Sequence, residues 1–333
     1  MTEEIITLDY GSGGGKTAEL IEELFLPAFH NDTLNRLGDG AVVNLSGALA
    51  FSTDSFVVSP LFFPGGDIGK LAVCGTVNDL AMCGAEPKVL SLSLLIEEGF
   101  PVEQLRRVAA SIAAAAEEAG VEIVTGDTKV VERGKGDGLY VNTSGIGTVI
   151  YPGLSPDKIT PGDAVILSGT MGDHGATVMM AREGLAENSP LRSDCRPLHR
   201  LAKAALDCGG VRVLRDPTRG GVATTLNEFT QNRPFSMELE EEALPVAPAV
   251  QAACDLLGLD ALYCANEGKL LAVVAKERSS AVLEALRHTP GGEDSALIGQ
   301  VTQRAPGKVL YHTALGGCRV LARLAGAQLP RIC

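Results

Sequence analysis

Five aspartates stand in short polar settings: Asp39 in GDG, Asp54 in STDS, Asp79 in VNDLA, Asp127 in TGDTK and Asp216 in RDPTRGG. Asp54 and Asp127 each follow an apolar, strand-like run, where ligand sites gather in α/β sheets. Asp79 falls inside an otherwise apolar helical stretch. Its helix neighbours at i−7, i−4, i−3 and i+4 are Ala72, Gly75, Thr76 and Cys83, a face of small side chains that another group can approach closely. A carboxylate in such a helix is costly without a partner. Converging aspartates would repel a polyphosphate, whereas Mg²⁺ takes one or two carboxylates together with phosphate oxygens. Spacing alone leaves that reading level with the ordinary one, in which each Asp is a turn or cap residue.

Four other residues carry usable chemistry. Lys129, in GDTK, could meet a phosphate or a carbonyl oxygen. Glu267, in ANEGKL, precedes an apolar strand and could accept a proton. His174, in GDHG, opens a helical stretch. Each of the three also fits a plain structural role. The fourth is the last residue, Cys333. The arm AQLPRIC that follows Gly326 spans at most ~25 Å when extended. Pro330 keeps it out of helix, and Arg331 would favour a thiolate that the terminal carboxylate opposes. Such an arm could carry a thiol between the surface and an internal site, or be an idle terminus.

The glycine-rich GSGGGKT at 11–17 departs from the phosphate-loop pattern. Gly15, Lys16 and Thr17 fit its end, but Tyr10 stands where the first glycine belongs, and no apolar strand precedes it. Two readings remain: a mobile loop, or a flap whose glycines, Gly13 among them, let backbone N–H groups approach an anion.

The elements that would position these residues follow from periodicity. Helices are expected over 16–30, 67–85 and 101–120, the last with Pro101 at its start and Gly120 as its stop. Strands are expected at 41–45 and 48–53 around a Ser46-Gly47 turn, then at 87–96, 121–126 and 138–150. Three prolines between 151 and 163 break the pattern and place a domain boundary near 155. Beyond it, strands are expected at 163–169, 235–240 and 269–275, with further short strands between 288 and 315. Helices are expected after Gly172, near 197–208, at 219–230, 246–256 and 279–288, and last near 315–325. The expected architecture is two α+β domains, 1–155 and 156–326, with a tail at 327–333.

Composition agrees. A chain of 333 residues with 45% hydrophobic content suits two domains with substantial cores. A net charge of -13 without a basic stripe argues against nucleic acid or an anionic membrane as partner. The acidic N-terminus is unlike a secretory signal, and no apolar run nears the ~18 residues of a membrane span, so a cytoplasmic location is expected. The eight cysteines form no C-x-x-C pair; in a reducing compartment most of the internal ones are expected to be small buried apolar residues.

Taken together, RLGDGAVV, FSTDSFVVSPLFFPGGDIGKLAVCGTVNDLAMCGAEP, VTGDTKVVERG, LSGTMGDHGATVMMAREGL, DPTRGGVATTLNE and the terminal PRIC resemble the HypE family of hydrogenase maturation carbamoyl dehydratases. The resemblance covers essentially the whole chain. PRIC is its specific part; the aspartate motifs alone mark the wider superfamily of aminoimidazole ribonucleotide synthetase-like ATP enzymes. It implies that superfamily's two-domain α+β fold, a flexible C-terminal tail, a homodimer formed through the N-terminal domains, and ATP with Mg²⁺. It further implies that a HypF-like carbamoyltransferase loads a carbamoyl group onto Cys333. ATP-dependent dehydration then yields a thiocyanate, and the cyanide passes to iron on a HypC–HypD complex, bound for the [NiFe]-hydrogenase centre.

The resemblance assigns Asp39, Asp54, Asp79, Asp127 and Asp216 to the metal, and places Gly13, Lys16, Thr53, Asn78 and Gly126 with Asp39, Asp54, Asp79 and Asp127 at the nucleotide. Lys129 would lie near the thiocarboxamide, Glu267 would accept a proton, and His174 is a further catalytic candidate. A selenophosphate synthetase would carry a cysteine or selenocysteine in the glycine-rich loop, here GSGGGK. An aminoimidazole ribonucleotide synthetase or a thiamine-phosphate kinase leaves the terminal cysteine unexplained, and a non-catalytic carrier leaves the aspartates unexplained.

Overall fold

The computed structural model describes residues 4–187 and 189–323. Its first half is built on β1 (Leu49–Phe56), β4 (Ala85–Glu97), β5 (Glu122–Val131) and β6 (Leu139–Val149), in the order β1-β6-β4-β5. β4 and β5 run parallel; the other pairs are antiparallel. A short ribbon of β2 (Phe62–Phe63) and β3 (Gly66–Asp67) lies apart. Along β4 the alternation is plain: Leu90, Leu92, Leu94 and Ile96 are buried while Leu95 is exposed, the period of a one-sided strand.

The buried face takes α3 (Ile68–Met82) and α4 (Val102–Ala119). α4 buries Leu105, Val108, Ile112, Ala115 and Ala119, one stripe at helical spacing, and Gly120 ends it in the left-handed region at φ 69. α3 starts where the Asp67 side chain accepts the N–H groups of Gly69 and Lys70 at 2.8 and 3.0 Å. It buries every residue except Lys70 and Asp79. Residues 15–29 form one continuous rod, α1 (Gly15–Leu20), a π turn (Ile21–Phe25) and α2 (Leu26–Phe29), which packs near α4.

The expected strand at 41–45 is absent. That segment is irregular, and Val42 is 78% exposed. Among the described residues β1 pairs with β6 alone, and AVVNL does not take up the open edge this leaves.

The second half carries a seven-stranded sheet in the order β13-β12-β9-β11-β7-β10-β8. Its strands are β7 (Ala164–Leu167), β8 (Val211–Arg215), β9 (Ser236–Glu240), β10 (Leu271–Val274), β11 (Ala296–Thr302), β12 (Val309–His312) and β13 (Cys318–Leu321). Only the β9–β12 pair is parallel. β7 and β10, AVIL and LAVV, are buried on both faces. Five helices accompany the sheet: α5 (Asp173–Arg182), α6 (His199–Asp207), α7 (Gly221–Thr230), α8 (Pro248–Leu257) and α9 (Ser279–Arg287).

β8 was not among the expected strands. The helix expected near 315–325 is overturned where it is described: Cys318–Leu321 is β13, paired antiparallel with β12. Gly316, at φ 81, turns the chain back, so the hairpin overrides the helical spacing. Residues 324–333, with the expected tail and Cys333, lie outside the described residues.

The two halves meet along α3. Its Ala81 and Met82 join one apolar cluster with Leu198, Leu201, Leu214 and Leu286 of the second half.

Candidate active site

Asp79, one of the two incompletely buried residues of α3, faces β1 where the halves meet. Its Oδ2 accepts the Ser52 hydroxyl at 2.6 Å. Even-numbered residues of β1 turn toward α3: a Cβ on Gly75 would come within 2.7 Å of the Phe56 ring. Asp54 belongs to that set, and its Oδ1 accepts the Ser55 N–H at 2.7 Å. Asp216 enters from the second half, just past β8. The DPTRGG turn that carries it is locked by Gly220 and Gly221, both at positive φ. A Cβ on Gly221 would lie 2.5 Å from the Leu262 carbonyl oxygen, so only glycine lets the turn pack there. Asn266 ties the turn to the Glu267 loop, donating Nδ2 to the Pro217 carbonyl at 3.0 Å.

Four carboxyls thus share one electrostatic environment. Burial, then Asp79, pushes Asp216 up to about 7, with Arg215 offsetting part of the rise. Burial raises Asp79, relieved by Ser52 and reinforced by Asp54. Burial raises Asp54 too, against the Ser55 N–H and Arg219. Glu267 is raised well above the ordinary carboxyl range by burial, with Asp216, Asp194 and Asp54 adding to it. Such carboxyls ionise together only beside added positive charge. Among the described residues no three acidic, histidine or cysteine side chains converge tightly enough to hold a metal by themselves. Mg²⁺ keeps few protein ligands and completes its shell with phosphate and water, and the raised carboxyls of Asp54, Asp79 and Asp216 are the ones its charge would relieve.

Other expected residues collect elsewhere. Register pairs Ser55 with Asn142, Asn142 with Ser93 and Ser93 with Asp127. Side chains of paired residues share a face, so Asp127 lies on the face of Thr53 and Ser55, opposite that of Asp54. Asn142 and Ser144 reach Thr53 on this face at 3.4 and 2.8 Å. Lys129, two residues along β5, keeps the same face, and its Nζ pairs with Asp127. Gly13, Gly126, Asp127 and Lys129 line one cavity of about 240 Å³, floored by Phe25, Phe29 and Ile123.

Lys16 is exposed and pairs with Glu19 at 2.7 Å instead. Asp39 is exposed in the irregular segment before β1; no described contact joins it to the other aspartates.

Two expected ligand or catalytic residues occupy different positions. Asn78 is 1% exposed. Its Nδ2 donates to the carbonyls of Arg196 at 3.2 Å and Glu267 at 3.3 Å, and its Oδ1 accepts the Leu198 N–H at 2.7 Å. Its amide is spent on the second half of the chain, not turned to a nucleotide. His174 is fully buried. Its Nδ1 lies 2.8 Å from the Ser193 hydroxyl, and its ring meets Phe63 edge-on at 5.4 Å. Through Ser193 it braces the 193–195 segment. Sequence reasoning passed over two buried charges beside Glu267, Asp194 and Lys269. In RSDCRPL and EGKL no spacing sets them apart from ordinary loop and strand-end charges.

This fold and cleft define a class, the proteins related to aminoimidazole ribonucleotide (AIR) synthase. The family model for the AIR synthase related protein N-terminal domain matches residues 37–149, and that for the C-terminal domain matches 160–312. Within the class the likeness narrows. The carbamoyl dehydratase HypE of Cupriavidus necator is 51% identical over 98% of this chain and 95% of its own. A crystal structure of the hydrogenase maturation protein HypE in complex with ATP is 50% identical with a TM-score of 0.95, covering 98% of this chain and 99% of that one. A chain in a HypE–HypF complex is 48% identical with a TM-score of 0.80, covering 92% and 99%. The chain belongs to the HypE carbamoyl dehydratase family.

Proposed function

We infer that this chain is an ATP-dependent carbamoyl dehydratase. It converts a thiocarboxamide on its own Cys333 into a thiocyanate and supplies cyanide for the iron of the [NiFe]-hydrogenase centre. The carrying observation is the carboxyl cluster of Asp54, Asp79, Asp216 and Glu267 between the two halves, in a chain half-identical to a HypE solved with ATP.

An amide oxygen is a poor leaving group. Transfer of the γ-phosphoryl group to it forms an O–P bond and breaks the bond to ADP, with loss of one N–H proton, leaving an imidate phosphate. Removal of the second N–H proton and departure of phosphate leave C≡N on sulfur. Sulfur suits the last transfer, since thiolate is a good leaving group when cyanide moves on.

One or two of Asp54, Asp79 and Asp216 would hold Mg²⁺, which would supply the positive charge that phosphate oxygens need in this acidic cleft. Glu267, whose ionisation the charge of Mg²⁺ would favour, takes the N–H proton. Lys129, oriented by Asp127, takes the amide oxygen. The apolar cavity beside the glycine-rich turn takes the base of the nucleotide. A terminal thiol can be loaded outside and then delivered into the cleft, where closure excludes water from a hydrolysable phosphate.

The remaining assignments follow from this reading. Domains are set at 1–155, 156–326 and a thiol-bearing tail at 327–333. A HypF-like carbamoyltransferase loads the thiol and a HypC–HypD complex accepts the cyanide, in the cytoplasm. No described helix is long and apolar enough to cross a membrane. A homodimer forms through the outward face of the first sheet, where Phe51 is 68% and Leu95 41% exposed. That face carries Asp127 and Lys129, so a complete site draws on both copies.

The test is intact-protein mass with carbamoyl phosphate, the carbamoyltransferase and Mg–ATP. A carbamoyl adduct on the C-terminal peptide, losing one water when ATP is added, is expected. In Cys333→Ala no adduct forms, while ATP still raises the melting temperature. An adduct that never loses water would overturn the dehydratase in favour of a carrier.

A further inference from the structure

Glu267 is gripped on both sides of its own backbone. The two Asp194 carboxylate oxygens accept separate N–H groups, Oδ1 from Glu267 and Oδ2 from Gly268, each at 3.1 Å. Lys269 brings its ammonium to 3.1 Å from Oδ2 and to 3.6 Å from Asp173. The fit admits no side chain at Gly268, whose Cβ would be driven into the Asp194 carbonyl. From the other side, the Glu267 carbonyl accepts the Asn78 amide at 3.3 Å and the Arg196 N–H at 3.4 Å.

Both peptide groups that flank the Glu267 Cα are therefore held, which fixes its Cα–Cβ direction. The holders come from α3, from the 193–198 segment and from the lead-in to β10. Asp194 is 5% and Lys269 4% exposed. Burying two such charges is expensive unless they are paired and hydrogen-bonded, and holding a strand end needs neither. Burial would raise Asp194, but Lys269, His174 and the Glu267 N–H keep it below its ordinary value, so it accepts as a carboxylate.

We propose that Asp194, backed by Lys269, is the positioning residue for Glu267: with Asn78 holding the carbonyl of the 267–268 peptide it fixes the direction from which that carboxyl meets the thiocarboxamide. The proposal rests on the reading of Glu267 as proton acceptor.

The experiment uses full-length protein carbamoylated on Cys333 by the partner transferase, and follows loss of water in a single turnover against ATP concentration. Glu267→Gln should be nearly inactive. Asp194→Asn keeps its size but can no longer accept both N–H groups. Its saturating rate should fall by about ten- to a hundred-fold, with half-saturating ATP within about two-fold of the parent. A merely structural role would move the melting temperature without that split.

A parental saturating rate in Asp194→Asn beside an inactive Glu267→Gln overturns the clamp. A parental rate in Glu267→Gln overturns the base itself, and the clamp with it. Should Asp194→Asn fail to fold, Asn78→Ser loosens the carbonyl side of the 267–268 peptide: the same split supports the proposal, and a parental rate ends it.

Discussion

The Asp216 carboxyl, raised to about 7 by burial and by Asp79, holds a proton in the folded chain where an unfolded aspartate has lost it. The folded pKa lies above the unfolded one, so folding takes up a proton and the ligand-free fold loses stability as pH rises from about 4 to about 7, then levels off. Each unit of that shift is worth about 1.4 kcal/mol. Asp216→Asn removes the term. Its ligand-free melting temperature should gain on the parent as pH is raised through this window, and Mg–ATP should stabilise it less than the parent. Parallel curves for the two proteins would show that Asp216 does not titrate there. At this scale the sequence was informative about residue type and little else. The five aspartates stand out by their polar settings, yet which share a face depends on strand register: Asp54 and Asp127, both at strand-like ends, turn to opposite sides of one sheet. Asp194 left no trace, because its work depends on backbone N–H groups about seventy residues away.

Periodicity served the helices best. α4 carries one apolar stripe between a proline and a glycine, so its existence and ends were both legible. α3 was legible as a helix, but its all-round burial follows from lying between two cores. Gly75 makes that possible, and Gly75→Ala should test it. With Phe56 2.7 Å from the new methyl, overpacking should lower stability by about 1–3 kcal/mol. It should also weaken Mg–ATP binding, since α3 must shift Asp79 away from Ser52. Gly120→Ala is the control. Its φ of 69 is strained for alanine but no atom lies in the way, so it should cost about 1 kcal/mol and leave nucleotide affinity alone. Thermal melts with and without Mg–ATP separate the two. The misread elements share a cause. AVVNL and GGCRVLARLAG have locally plausible patterns that tertiary context overrides: the first pairs with no described strand although β1 leaves an edge open, and part of the second is captured by β12.

For the molecule as a whole, the proline-rich break and the mixture of strands and helices marked two α+β halves, while strand order stayed out of reach. β1 pairs with β6 across some ninety residues, and β12 lies parallel to β9 inside an otherwise antiparallel sheet; nothing local encodes such partners. The open face of the first sheet gives the test at this scale. Phe51→Glu should convert a dimer to a monomer in sedimentation and cut turnover, because Asp127 and Lys129 share that face. A parental dimer would place the interface elsewhere.

Asn78 has a consequence for how such proteins could be recombined. Its amide is consumed by three backbone groups of the second half, and Ala81 and Met82 on the same helix fill a pocket of that half's core. The chain looks like two modules joined by a linker, yet grafting the first half onto a cousin's second half would leave α3 facing a backbone it was not fitted to, with the Asn78 amide short of the three groups it bonds here. The heritable unit in this architecture is the matched pair of halves, with α3 as the seam.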